Sequence, residues 1–123
     1  MKIFIADDSA LIRNSLTDAL TDITGVEIVG QASRVNTAVQ GIVKTTPKLV
    51  ILDIHMPPTS GFDVLSSVKK LAAPPVVAVF TENDFPEYRR KCQQANADYF
   101  FVKSSGQDDL IELVRKLAAG KNH

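Results

Sequence analysis

The chain has 123 residues, 45% apolar and 23% charged, with 14 Lys+Arg against 14 Asp+Glu. That length fits one domain, and the balanced charge with no basic stripe excludes the electrostatic footprint of a nucleic-acid binder. A single cysteine, Cys92, excludes an intramolecular disulfide and a thiolate metal cluster, and no apolar stretch nears the roughly 20 residues of a membrane span.

The amino terminus enters a strand-like run at once, at residues 2–6 (Lys2-Ile3-Phe4-Ile5-Ala6), which leaves no room for a signal peptide and makes a cytoplasmic location the expectation. Asp7-Asp8 follow, then a helical stripe of Ile12, Leu16, Ala19, Leu20 and Ile23 with Ser9 as N-cap. A second strand is expected over 26–32 and a second stripe at Val35, Ala38, Val39, Ile42 and Val43, capped by Ser33 and closed before Pro47. The third strand, 48–52, ends at Asp53. The third helix opens after Gly61, carries Phe62, Leu65, Val68 and Leu71/Ala72, and stops before Pro74-Pro75. A fourth strand at 76–80 leads to Thr81. The fourth stripe (Phe85, Tyr88, Cys92, Ala95) is weaker, with Asn83 or Asp84 as cap and Pro86 in the first turn. The fifth strand, 98–102, ends at Lys103, and Leu110, Leu113, Val114, Leu117 and Ala118 mark a last helix ending at Gly120. His123 reads as a frayed terminus.

Short Val-, Ile- and Phe-rich runs without alternation are the pattern of strands buried on both faces, as in parallel sheets. Five strict βα repeats therefore predict an α/β, flavodoxin-like, doubly wound sandwich. Its five-stranded parallel sheet would have the order 2-1-3-4-5, with the first and third strands adjacent at the switch point. Residues 1–123 read as a single domain with no output domain attached.

That topology gathers Asp7, Asp8, Asp53, Thr81 and Lys103 at the carboxyl ends of the strands, where ligands bind in such sheets. Three carboxylates so close repel one another, and a hard divalent cation relieves the repulsion. Mg²⁺ suits the set, since it takes octahedral oxygen ligands and keeps several waters; the His55 backbone carbonyl can complete the shell. The cation also explains how a carboxylate can attack a phosphoryl group despite like charges. Lys103 offers a point charge to a phosphoryl oxygen, and Thr81 a hydroxyl.

With these residues in place, the chain resembles the receiver domains of bacterial two-component response regulators, a family that includes the single-domain chemotaxis regulators. The resemblance rests on Asp7-Asp8, on Asp53-Ile54-His55-Met56-Pro57-Pro58-Thr59-Ser60-Gly61 (the D-x-x-M-P-x-x-x-G pattern), on Phe80-Thr81 and on Tyr99-Phe100-Phe101-Val102-Lys103. It implies that Asp53 is the phosphoacceptor, served by a sensor histidine kinase or histidine phosphotransfer protein. Asp8 would bind Mg²⁺ directly and Asp7 directly or through water. Thr81 and Phe100 would be the coupled switch pair, and Lys103 would contact Asp53 and its phosphoryl group. The output would be a changed surface on helix 4, strand 5 and helix 5, near Tyr88, Arg89, Arg90 and Lys91, recruiting a downstream protein. Such a protein is not an enzyme beyond catalysing its own phosphorylation and slow autodephosphorylation. It binds nucleic acid only indirectly, inserts in no membrane, and is a monomer or a phosphorylation-dependent dimer. The Val26-Glu27-Ile28-Val29-Gly30 segment further resembles receivers attached to helix-turn-helix output domains.

Four positions set this chain apart within the family pattern. Ser104 stands where most receivers have a cis proline, so a trans Lys103–Ser104 bond is expected. Glu82 follows Thr81 where a small residue is usual, and His55 lies two residues after Asp53; both are expected to set the aspartyl-phosphate lifetime. Phe100 lacks a phenol hydroxyl, so its switching is expected to depend on packing alone.

Each signal has an ordinary reading by itself: Asp7-Asp8 as a cap, Lys103 as a solvated lysine, Thr81 as a cap, Phe100 as core. Jointly, four strand ends would have to carry the right group by accident. The remaining alternative is a degenerate receiver acting as a phosphate-independent protein-interaction module. A flavodoxin-like cofactor carrier of the same topology would need a phosphate-cradling loop where Asp7-Asp8 stand. An aspartate phosphatase would want its nucleophile after the first strand, beneath a cap.

Overall fold

The computed structural model describes residues 1–120; His123 lies outside them. The chain alternates strictly between β1 (Lys2–Ala6), α1 (Ala10–Thr21), β2 (Glu27–Ala32), α2 (Val35–Thr45), β3 (Leu49–Leu52), α3 (Gly61–Lys69), β4 (Val76–Thr81), α4 (Pro86–Gln94), β5 (Tyr99–Val102) and α5 (Gln107–Ala118). All pairings are parallel, in the order β2-β1-β3-β4-β5, so the flavodoxin-like topology expected from the repeats is the one observed.

Both faces of the sheet are covered, which is why its central strands read as unbroken apolar runs. In β1, Ile3 and Ile5 face a core shared with Leu16 and Leu20 of α1 and Leu110, Val114 and Leu117 of α5. The alternate residues Phe4 and Ala6 face Ala38 and Ile42 of α2, Val64, Leu65 and Val68 of α3, and Cys92 of α4. The Phe4 ring needs two glycines beside it: a Cβ on Gly30 or on Gly41 would fall 2.6 Å from its Cε2. The β1–β2 register slips at this ring, between Ile3 and Phe4.

Ser9 caps α1 as expected, accepting from the Ile12 amide at 3.2 Å. Two other caps differ from the sequence reading. α2 is entered through Arg34 rather than Ser33, with no side-chain cap. The Pro57 carbonyl accepts from the Val35 amide at 3.4 Å, so a tertiary contact takes the place of a capping hydroxyl. α4 is entered through Phe85, not Asn83 or Asp84. Pro86 at the first helical position has no N–H to satisfy and holds the residue before it extended, at φ −72° and ψ 136°. α3 closes at Lys69, before Leu71 and Ala72, and Val43 on the α2 stripe is 52% exposed. Thr81 is the last residue of β4 rather than the first of the loop. The backbone of the described residues is trans throughout, Lys103–Ser104 included.

Candidate functional site

The register of the central strands decides the site. Ala6 pairs with Leu52, so the residues that follow them, Asp7 and Asp53, emerge side by side at the carboxyl edge. The Asp53 amide donates to the Ala6 carbonyl at 2.9 Å and the Lys103 amide to the Thr81 carbonyl at 2.8 Å, extending the sheet one step beyond its strands. Carboxylate oxygens of Asp7, Asp8 and Asp53 lie within 4.8 Å of one another. Asp7 and Asp53 are buried, and Asp8 faces solvent.

Lys103 Nζ bridges the two buried carboxylates, 2.8 Å from Asp7 Oδ2 and 3.0 Å from Asp53 Oδ2. The Ser9 amide donates to Asp7 Oδ1 at 2.9 Å and the His55 amide to Asp53 Oδ1 at 3.2 Å. Arg13 Nη1 donates to the Asp7 carbonyl at 2.7 Å, tying the loop to α1. Burial pushes the Asp7 carboxyl above its ordinary value, against the lowering effect of Lys103 and the Ser9 amide; the Asp53 charge adds to the rise. Burial alone would lower the Lys103 ammonium. The hydrogen bonds and charges of Asp7 and Asp53 reverse this and hold its pKa above the ordinary value.

Thr81 is fully buried, and its Oγ1 has no hydrogen-bond partner among the described residues. Gly61 is required for space: a Cβ there would sit 2.1 Å from the Asp53 carbonyl oxygen and 2.7 Å from Ile54 Cα. With Ser60 capping α3 by accepting from the Phe62 amide at 2.9 Å, this close approach of α3 fixes the loop that carries Asp53.

Sequence reasoning missed several groups around the site. Leu11, in the first turn of α1 and four residues from Asp7, is 78% exposed. The His55 ring contacts the Asn83 side chain and stands edge-on to Tyr88 at 6.4 Å. Phe100 is not held by packing alone. The Arg89 guanidinium lies 4.5 Å above its ring centroid, and Arg89 Nε is paired with Asp84 Oδ1 at 2.5 Å. A helix-period cation opposite an aromatic strand residue was the available signal for that contact.

The donor set fits a hard divalent cation. Three carboxylates and one ammonium leave two negative charges, which a dication cancels, and oxygen-only ligands with a solvent-facing member suit Mg²⁺.

Comparison with known proteins agrees with this geometry. Residues 3–115 match the response regulator receiver domain family. The chain belongs to that family. The receiver is 29% identical to the response regulator GacA of Pseudomonas aeruginosa, over 100% of this chain and 58% of that protein. It is 30% identical to the transcriptional regulatory protein YvfU of Bacillus subtilis, over 98% of this chain and 60% of that one. The chain thus spans little more than half the length of these relatives. Among solved structures, a LuxR-family DNA-binding response regulator from Staphylococcus aureus superposes with a TM-score of 0.86 at 26% identity, covering 95% of this chain and 98% of that one. Receiver domains serve two-component signalling as phosphoacceptors rather than as turnover enzymes. No helix among the described residues is long and apolar enough to cross a membrane.

Proposed function

We propose that this receiver takes a phosphoryl group on Asp53 from the phosphohistidine of a sensor kinase or phosphotransfer protein, and that the modified form changes the surface it offers to another protein. The observation carrying this reading is the convergence of three carboxylates, a bridging Lys103 and the buried, unpartnered Thr81 hydroxyl at adjoining strand ends.

In the reaction, an Asp53 carboxylate oxygen forms the new P–O bond while the P–N bond to the donor imidazole breaks. The imidazole leaves with the electron pair and takes a proton. Lys103 already holds Oδ2, and Oδ1 has only the longer bond to the His55 amide, so Oδ1 is the freer to attack. Asp7, Asp8 and Asp53 with the His55 carbonyl would hold Mg²⁺, which when bound would neutralise charge on these carboxylates and on the phosphoryl oxygens. Lys103 can turn from Asp7 toward a phosphoryl oxygen, and the Thr81 hydroxyl gains the acceptor it lacks. Movement of Thr81 draws on the loop that carries Asn83 and Asp84. Through Asp84 and Arg89 it reaches Phe100 and the α4–β5 surface. Exposed Leu11 beside the site is the natural apolar contact for the phosphodonor protein.

In this proposal residues 1–123 act as one cytoplasmic receiver unit whose output is contact with a protein, as a monomer or a phosphorylation-dependent dimer, with no direct contact to nucleic acid. Glu82 and the His55–Asn83 pair flank the site mouth and set how fast water removes the phosphoryl group. A phosphate-independent interaction module is disfavoured because no member of the Asp7, Asp8, Asp53, Thr81 and Lys103 set is missing. The test is intact mass after incubation with Mg²⁺ and acetyl phosphate, and then with a phosphorylated kinase domain, for wild type and Asp53→Ala. A labile phosphoryl adduct on wild type alone is expected. No adduct from either donor would overturn the reading.

A further inference from the structure

At the opposite end of the sheet, where the strands begin, the molecule carries a slot that the phosphorylation chemistry does not use. One part is an apolar cavity of about 330 Å³ lined by Ile42, Val43, Thr46, Pro47, Leu71, Ala73 and Pro75. A neighbouring part of about 350 Å³ shares Thr46, Pro47, Ala73 and Pro75 and adds Lys2 and Lys48. The two are continuous through those common residues, and each falls within the size range of ligand pockets, about 300–1,000 Å³.

Charge singles this slot out. No acidic residue lines either part, and Lys2 and Lys48 make no ion pair among the described residues. Lys2 Nζ spends one donor on the Thr45 carbonyl, at 2.8 Å, and a second on the Thr46 hydroxyl, at 3.4 Å, and keeps the third for solvent. Asp98, a carboxylate near this end, is already engaged by Lys69, whose Nζ also bonds the Pro75 carbonyl at 2.8 Å and so fixes one wall. Val43 is 52% exposed despite lying in an apolar lining. Thr46 sits at the junction with φ at 47°, a left-handed conformation that a β-branched residue seldom takes. Thr46 takes this conformation as the C-cap of α2, its amide donating to the Ile42 carbonyl at 3.0 Å, and so turns the chain along the slot.

We propose that this slot docks an acidic segment of a partner protein, which seats apolar side chains among Val43, Pro47, Leu71 and Pro75 and lays carboxylates against Lys2 and Lys48. Two other anionic partners fit less well. The lining has no aromatic ring on which a nucleic-acid base could stack. A bilayer presents a plane, and the apolar atoms here line a concavity between the ends of α2 and α3. The slot lies across the whole depth of the sheet from Asp53. It therefore tethers the receiver to a partner whether or not Asp53 is phosphorylated, and the inference does not depend on that chemistry.

The experiment is an amide-shift titration of the isotopically labelled full chain with a short peptide, Glu-Glu-Leu-Leu-Glu-Glu. A Lys-for-Glu peptide and vesicles containing phosphatidylglycerol serve as the comparison probes. Saturable shifts confined to residues 42–48, 71–76 and the neighbourhood of Lys2 are expected with the Glu peptide alone, weakening as salt rises. Lys48→Glu and Val43→Glu, both at exposed positions, should each weaken binding by about tenfold while leaving acetyl phosphate labelling unchanged. The proposal is overturned by no saturable shift, by equal binding of the Lys peptide, by wild-type binding in both variants, or by response to vesicles only.

Discussion

Gly61→Ala sets two effects of opposite sign against each other. Gly61 is the first residue of α3, where helix propensity favours alanine by about 0.5–1 kcal/mol. A methyl group there, however, would lie 2.1 Å from the Asp53 carbonyl oxygen, 2.7 Å from Ile54 Cα and 3.0 Å from the Asp53 carbonyl carbon. All three neighbours are backbone, so no side chain can swing away. Restoring even a 3.0 Å separation from the oxygen means moving α3 or the Asp53 loop by 0.9 Å, the difference between 3.0 and 2.1. Overpacking of this kind costs about 1–3 kcal/mol, which exceeds the propensity gain. The variant should be less stable by a net ~1–2 kcal/mol in urea denaturation at unchanged m-value. The larger effect falls on chemistry, because a misplacement of about 1 Å at a reacting group can cost about 100-fold in rate. Initial rates of acetyl phosphate labelling, followed by mass, give that number. An alanine variant as stable as wild type or more so, labelling at the wild-type rate, would refute the steric argument.

The raised pKa of Asp7 fixes the sign of a second prediction. Because the folded state binds this proton more tightly, Asp7 contributes stability below its unfolded value that is lost as pH rises through its elevated folded pKa. Asp7→Asn should therefore be more stable than wild type at pH 7 in EDTA, yet gain less from added Mg²⁺; a less stable variant in EDTA would contradict the reasoning. Leu11→Glu, at a position 78% exposed, should leave the fold and acetyl phosphate labelling intact but slow phosphotransfer from a kinase domain by about tenfold. Thr46→Asn should raise stability by about 1 kcal/mol, since asparagine tolerates the left-handed conformation better; a lower denaturation midpoint would count against it. Burial pushes the Cys92 thiol up to about 11, so maleimide at pH 7 should label the native receiver far more slowly than the urea-unfolded chain.

The strands were legible because burial on both faces leaves an apolar run with no alternation, as in Leu49-Val50-Ile51-Leu52, where every residue is buried. Strand order followed from fold statistics rather than from any residue, and the observed order agrees. Asp7, Asp8 and Asp53 could be grouped from sequence because Asp7 and Asp53 stand directly after paired strands and Asp8 follows Asp7, so register brings them together. Less legible were features that depend on partners far along the chain. Ser33 looked like a cap, yet the Pro57 carbonyl supplies the acceptor at that helix start. Lys103 meets Asp53 as expected, across 50 residues of chain, but its second pairing, with Asp7, was not read. The Arg89–Phe100 contact left only a faint signal for a similar reason. α4 buries only Cys92 among its own residues, so its stripe is too thin to give the rotation of the helix.

The unpartnered hydroxyl of Thr81 sets how much its own contact can add to the proposed switch. A buried polar group without a partner carries a cost of about 1–3 kcal/mol. The resting conformation bears that cost continuously, and an incoming acceptor removes it. Such an energy corresponds to a change of about 5- to 150-fold in an equilibrium constant. On the proposed reading, a contact of that size would make the receiver a graded dial rather than a latch, with a share of unmodified molecules able to take the signalling shape and a partner that prefers it able to draw on them.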